Sequence, residues 1–182
     1  MAFNVNEIRS QLTAGGARPN LFQVSMPFPG IAGADGPAAA TKISFMCHGA
    51  QIPGSDMGTI EVPYFGRTVK IPGNRTFPEW TPTVFNDEDF VVYNAIQSWM
   101  NSLNAHAGNV RDPAAATSVS YAVDAQVEHY GKTGDIIKTV TMVNMWPSAL
   151  APIDLAWENN DALEEFTCTF QFDFWQAEGI TS

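Results

Sequence analysis

The stretch Phe166-Thr167-Cys168-Thr169-Phe170-Gln171-Phe172-Asp173-Phe174 alternates large apolar and polar side chains without a break. A helix would scatter these rings around its circumference. A strand sets Phe166, Cys168, Phe170, Phe172 and Phe174 in one buried row and the polar residues on the opposite face. The same period recurs upstream, where Val119, Tyr121, Val123, Ala125 and Val127 alternate with polar or small residues. A turn at Gly131-Lys132-Thr133-Gly134-Asp135 and a second apolar run from Ile136 to Met145 complete a long hairpin. Trp146-Pro147 is expected to break that strand, and Ile153 to Trp157 to lead toward the closing one.

Farther back, one segment has helical spacing. Val92, Ile96, Trp99 and Leu103 recur on one face, with Asn86 as a candidate cap and Asp87, Glu88 and Asp89 in the first turn of a helix from Asp87 to Leu103. Gly108 and the run from Asp112 to Ala116 read as a loop after it. Thr76 to Phe85 is strand-like, and Pro78 and Pro82 argue for an edge position or bulges. Gly58 to Tyr64 and Thr68 to Ile71, joined at Phe65-Gly66-Arg67, form a hairpin with Ile60, Val62 and Tyr64 on one face. Ile43, Phe45 and Cys47 alternate as another strand, and Phe28 to Ala40, rich in Gly, Ala and Pro, reads as a long exposed hairpin loop. Phe22, Val24 and Met26 mark a strand over Leu21 to Met26, and Val5 to Leu12 a weak helix or arm ending at Gly15-Gly16.

These elements add up to a mainly β chain: about eight strands in an antiparallel β-sandwich or partly closed barrel with one flanking helix. The length, 182 residues at 45% hydrophobic content, suits a single domain over 1–182, with residues 1–18 as a possible mobile arm. Charged residues make up only 15%, which leaves a surface with little charge to oppose self-association.

The net charge of −10 is uneven: eight acids face six bases through Val91, and eleven face three beyond it. Lys138 is the last cation, so Asp154, Glu158, Asp161, Glu164, Glu165, Asp173 and Glu178 close the chain unopposed. Such a surface repels phosphates and disfavours tight nucleic-acid binding without forbidding loose enclosure. Cys47 and Cys168 lie in strand-like segments with no leader pattern ahead of them, so buried thiols and synthesis in a reducing cytoplasm are expected rather than a disulfide. No apolar run approaches the roughly 20 residues of a membrane span.

No catalytic, cofactor or metal constellation is found. Gly131-Lys132-Thr133 resembles the end of a phosphate loop, but Gln126 stands where that motif needs glycine, and the segment joins two strands. His48, His106 and His129 have no paired spacing. The carboxylate pairs sit in no catalytic motif. Trp80, Trp99, Trp146, Trp157 and Trp175 read as core packing before a ligand platform.

Several stretches together resemble the tail tube proteins of contractile-tailed phages of the T-even type. They are Ala17-Arg18-Pro19-Asn20-Leu21-Phe22-Gln23-Val24, Val69 to Phe77 with Arg75, Trp80 to Asp87 with Asn86, Trp146-Pro147, and Leu155-Ala156-Trp157 through Trp175. The resemblance implies a β-sandwich-like subunit with a flanking helix, hexameric rings whose inner sheets join into a barrel, and helical stacking of the rings. It implies as partners further copies of the chain, a tail sheath protein, baseplate and tail-terminator proteins, and genome DNA passing through the lumen without sequence-specific binding. It also implies a place in the virion, after assembly in the host cytoplasm. The loops at 28–40 and 108–117 are longer than the family pattern suggests. The regions around Asn4 to Arg18, Gln51 to Arg75 and the acidic end are candidate assembly surfaces. The acids from Asp154 to Asp173 could alternatively line a lumen and hold DNA off the wall, within a screening length of ~10 Å at 0.1 M salt. An injection apparatus carrying protein and a monomeric β-sandwich binding module are the alternative functions.

Overall fold

The computed structural model describes residues 5–178. Its centre is β7 (Ile136–Leu150), a strand long enough to take different partners along its length. The first part pairs with β6 (Val123–Tyr130) on one flank and β9 (Phe174–Ala177) on the other. Its final residues, from Trp146, pair with β8 (Glu165–Gln171). β1 (Phe22–Ser25) extends the sheet beyond β6, while β5 (Thr83–Phe85) and β2 (Cys47–Gly49) extend it beyond β8. The seven-stranded sheet therefore has two arms that share β7, and it curls into a half-barrel. A separate two-stranded sheet is made by β3 (Asp56–Tyr64) and β4 (Arg67–Thr76).

The bend in β7 has a local cause. Asn144 takes a left-handed backbone (φ 56°), and the register with β6 skips between Val123 and Ala125. Asn tolerates this conformation better than most residues. Its backbone N–H donates to Asp124 Oδ1 (3.0 Å) and its side-chain amide to Asp173 Oδ2 (2.7 Å). The expected break at Trp146-Pro147 does not occur. Phe170, opposite Pro147, exchanges both backbone hydrogen bonds with Trp80 on its other flank (3.0 and 2.8 Å), so no donor is asked of the proline.

α3 (Val91–Leu103) lays Val92, Ala95, Ile96 and Trp99 on the sheet, all fully or nearly fully buried. Its start is later than the acidic run suggests. Phe90, left-handed at φ 53°, occupies the cap position, and Asp87 to Asp89 form a turn closed by Phe90 N–H to Asp87 O (2.8 Å). Asn86 is thus not the cap; its side chain donates to Glu164.

The largest departure is at 28–49. The Gly/Ala/Pro run is no exposed loop: Gly30–Ala32 is a 3-10 turn, and α2 (Gly36–Met46) follows and packs on α3 and β1. Gly36, Ala39 and Ile43 are its buried stripe, at the i, i+3, i+7 spacing of a helix. Ile43 to Cys47 is therefore not a strand; Phe45 is 77% exposed, and extended backbone begins only at Cys47. Likewise Val119 and Tyr121 lie in a short helical turn, α4 (Ser118–Tyr121), with Val119 91% exposed, so the hairpin strand begins at Val123. β5 is not an edge, because β2 covers its outer side. The phenylalanine row ends at Phe172: the chain kinks at Asp173, and Phe174 pairs with Val143 and is partly exposed. The mainly β, partly closed architecture stands as expected, with two packed helices, α2 and α3, where one flanking helix was expected, around a continuous buried cluster that includes Trp80, Trp99, Met142, Phe166 and Phe170.

Candidate assembly surfaces

The arm β1-β6-β7-β9 buries one face and presents the other. Core-facing Val24, Ala125, Val127, Val140, Met142 and Ala177 alternate with polar partners. The register aligns Ser25 with Gln126, Gln126 with Thr141, and Thr141 with Gln176, so one polar row crosses all four strands. A second aligns Gln23, Glu128 and Thr139. Tyr130 donates to Glu128 (2.6 Å) and is also 3.0 Å from Gln23; the first bond holds the phenol above its ordinary pKa. The charges on this face are Asp124 and Glu128, and no Lys or Arg lies among its alternating residues. Among the described residues β1 pairs only with β6, and β9 only with β7, so each lateral border of the arm is unpaired there.

The β3–β4 hairpin is exposed along nearly its whole length. Directly paired residues share a face, so Ile60, Ile71, Val62, Val69, Tyr64 and Arg67 form one apolar ribbon with a cation near the turn. Phe65 at the turn is 92% exposed. Gly58 and Gly73 meet at a register shift, where a Cβ on Gly73 would lie 3.1 Å from the Gly58 carbonyl oxygen, a crowded approach that glycine relieves. Two indoles hold the stem: Trp80 Nε1 donates to Gln51 O and Trp175 Nε1 to Gly54 O, both at 2.8 Å.

The remaining motif residues serve the same framework. Arg18, Pro19 and Asn20 are exposed and lead through a turn (Leu21 N–H to Arg18 O, 3.2 Å) into β1, where Phe22 packs at the core's margin. Phe77 leans on Phe172, with ring centroids 6.3 Å apart. Asp87 and Asp89 both hold Lys42 of α2; Asp87 first, then Asp89, keeps that ammonium above the ordinary lysine range. Trp146 is half-buried and Pro147 buried. Trp157 is the exception to the core reading of the tryptophans, at 99% exposed. Arg75 is exposed on β4.

The acids do not form one surface. Asp154, Glu158 and Asp161 lie in the exposed 151–164 segment, beside Glu164, bonded to Asn86, and Glu165, whose carboxylate is 3.0 Å from His48 Nε2. Asp173 is beyond the other end of β8, against Asn144. Cys47 and Cys168 are buried free thiols; burial raises Cys47 to about 11 and Cys168 further still. Among the described residues no three His, Cys, Asp or Glu side chains are grouped to hold a metal ion, and no helix is long and apolar enough to cross a membrane. Alternation marks these residues as one face of each strand, but which of them align across the four strands follows from the pairing of β1 and β9, which no local pattern contains. The α1 helix (Val5–Gln11) exposes Val5 and Ile8 and buries no residue; Asn4 of the expected arm lies outside the described residues.

Residues 17–178 match the family model for phage tail tube proteins. The tail tube protein of Enterobacteria phage T4 is 27% identical over 161 residues, covering 88% of this chain and 91% of its own. The tail tube protein of Serratia phage KSP90 is 28% identical over 173 residues, covering 92% and 93%. The fold is similar to a chain of the PVC extracellular contractile injection system, solved as a sheath–tube complex in the extended state (TM-score 0.60, 15% identity, 97% and 98% covered). It is also similar to a chain of the anti-feeding prophage tube-terminating cap (TM-score 0.64, 17% identity, 97% and 98% covered). With nearly the whole chain matched, this protein belongs to the phage tail tube protein family.

Proposed function

We propose that the chain is the protomer of a phage tail tube, in which hexameric rings close laterally through the free borders of β1 and β9 and stack to form the conduit for genome DNA inside a contractile sheath. One observation carries this reading: a four-stranded arm with a buried face, a polar face and both lateral borders unpaired among the described residues. Backbone donors and acceptors on an open border are costly when shielded from water, and joining the arms of neighbours into a closed cylinder removes every such border. Head-to-tail contacts of this kind close into rings when the rotation fits.

On this reading the lumen is lined by the Gln, Thr and Ser rows with Asp124 and Glu128, rather than by the 154–165 acids. A wall with few charges, all negative, gives DNA phosphates nothing to neutralise, so passage is free of adhesion. The chain acts as one domain, supported by its single core cluster. Sheath, baseplate and tail-terminator proteins are its partners in the virion, after assembly in the host cytoplasm. The sequence relatives are phage proteins, which favours DNA over protein as cargo. Electron microscopy of purified protein tests the reading: tubes are expected, and monomers that persist at all salt and protein concentrations, even with an initiating baseplate supplied, would refute it.

A further inference from the structure

β8 and β9 form one strand bent at a corner. Trp146 pairs with Gln171 and Val143 with Phe174, so counting on from either pair sets Asn144 opposite Asp173. On one side of this point β7 and β9 belong to the arm with β6 and β1; on the other, β7 and β8 belong to the arm with β5 and β2. β6 has its end at the corner, where Val123 pairs with Met145, so among the described residues only two strands of the sheet pass through it. Strands that change sheets do so at bulges or bends, and here β7 carries one residue more than β6 between Met142 and Met145.

Three hydrogen bonds brace the corner. Asn144, left-handed at φ 56°, donates its backbone N–H to Asp124 Oδ1 (3.0 Å) and its side-chain amide to Asp173 Oδ2 (2.7 Å). The backbone N–H of Asp173 donates to Val143 O (3.1 Å). One residue of β7 thereby ties both flanking strands, β6 through Asp124 and the bent β8–β9 strand through Asp173. Met145 and Phe172, next in line on the two strands, are buried, whereas the Asn144 and Asp173 side chains are exposed. The bond between those two side chains lies outside the core, so its effect is on the geometry of the bend rather than on burial.

Both free borders of the β1-β6-β7-β9 arm lie beyond this corner. Ser25 and Phe22 of β1 stand opposite Gln126 and His129, three and six residues along β6 from Val123, so a change of ~10° at the corner would move that border by roughly 2–3 Å at ~3.3 Å per residue. Backbone hydrogen bonds span only about 2.7–3.2 Å, and a displacement of that size breaks a row of them. Resting on the tube-protomer reading, we propose that Asn144 is a positioning residue for ring closure: bonded to Asp124 and Asp173, it fixes the bend of the sheet and so the angle at which the β9 border of one copy meets the β1 border of the next.

The test compares the full wild-type chain with Asn144→Gly, which keeps the left-handed backbone and loses only the side-chain amide, and with Asp173→Ala. Each single variant should lower tube yield about tenfold or more in electron micrographs, and the tubes that do form should vary in diameter. Monomer melting should fall by no more than about 2–4 °C, because both side chains are exposed. Exchanging the two groups, Asn144→Asp together with Asp173→Asn, again sets a donor opposite an acceptor and should return the yield to within about twofold of wild type, a rescue of assembly specific to this pair. Tubes of uniform diameter at wild-type yield from both single variants overturn the role of the corner and leave the tube reading intact. An exchanged pair that melts like wild type yet fails to assemble does the same. Wild-type protein that forms no tubes removes both.

Discussion

Trp99 joins three parts of the molecule through one side chain. Its ring meets Phe28 edge-on (centroids 5.9 Å apart) and Phe170 at a tilt (6.4 Å), and Nε1 donates to Tyr121 O (2.8 Å). Trp99→Phe leaves the Tyr121 carbonyl without this donor and opens a small void, for which we expect a loss of ~1–3 kcal/mol. Trp99→Ala removes the whole ring and should cost ~3–5 kcal/mol. Urea unfolding followed by circular dichroism measures both, and equal losses for the two variants would contradict the packing described. The thiols predict a pH dependence. Burial raises the folded pKa of Cys47 from 9.0 to about 11, and that of Cys168 further in the same direction. A group with a raised folded pKa contributes its full stability below the unfolded value and loses it as pH climbs toward the folded value. Stability should therefore fall above pH 9, and the gap in melting temperature between wild type and Cys168→Ala should narrow from about pH 8 to about pH 10.5. A gap that stays constant would show that the Cys168 thiol does not titrate with unfolding.

At the scale of elements, the hairpin stem offers a direct test of what the two indoles do. Trp175→Phe removes the bond to Gly54 O, worth ~1 kcal/mol, and should raise amide exchange in 51–76 about fivefold with little change in the main sheet. Unchanged exchange would mean that the stem is held by something else. The hairpin, β8, and the β6–β7 pair were legible from sequence because strict alternation has no helical counterpart over that many residues. α2 was not. Its stripe is Gly36, Ala39 and Ile43, and small residues leave little apolar periodicity to read even though they let the helix approach α3 closely. Pro37 in the first turn and three successive alanines were the available signals, since proline is tolerated at a helix start and alanine is the best helix former. The acidic run before α3 misled for a different reason. Asp87 and Asp89 look like helix-start residues but are engaged by Lys42, 45 and 47 positions earlier in the chain, a contact that no local pattern contains. Trp157 reads as core by type, yet it lies in a segment that contributes little to the core and leaves the indole exposed.

At the scale of the whole molecule, the charge distribution makes a claim about cargo that can be tested apart from tube geometry. Eight of the ten net negative charges reside in the half of the chain after Val91, yet the polar face of the β1-β6-β7-β9 arm carries only Asp124 and Glu128 among Gln, Thr and Ser. If that face lines the conduit, duplex DNA should not sediment with wild-type tubes at about 0.1 M salt, because no cation on the wall releases phosphate counterions. Gln126→Lys together with Thr141→Lys would place two cations per protomer on adjacent strands of one row, at positions outside the buried core. Ring symmetry would multiply that pair around the bore. Co-sedimentation of labelled DNA short enough to enter open tubes should then appear and disappear steeply as salt is raised, with the slope growing with the number of phosphates contacted. The same two lysines placed on the hairpin's outer face, at Thr59 and Thr68, give the control for nonspecific binding to the tube exterior. Equal binding by both variants would mean that the Gln and Thr rows do not face the bore, and binding by wild-type tubes would remove the low-adhesion account of passage altogether.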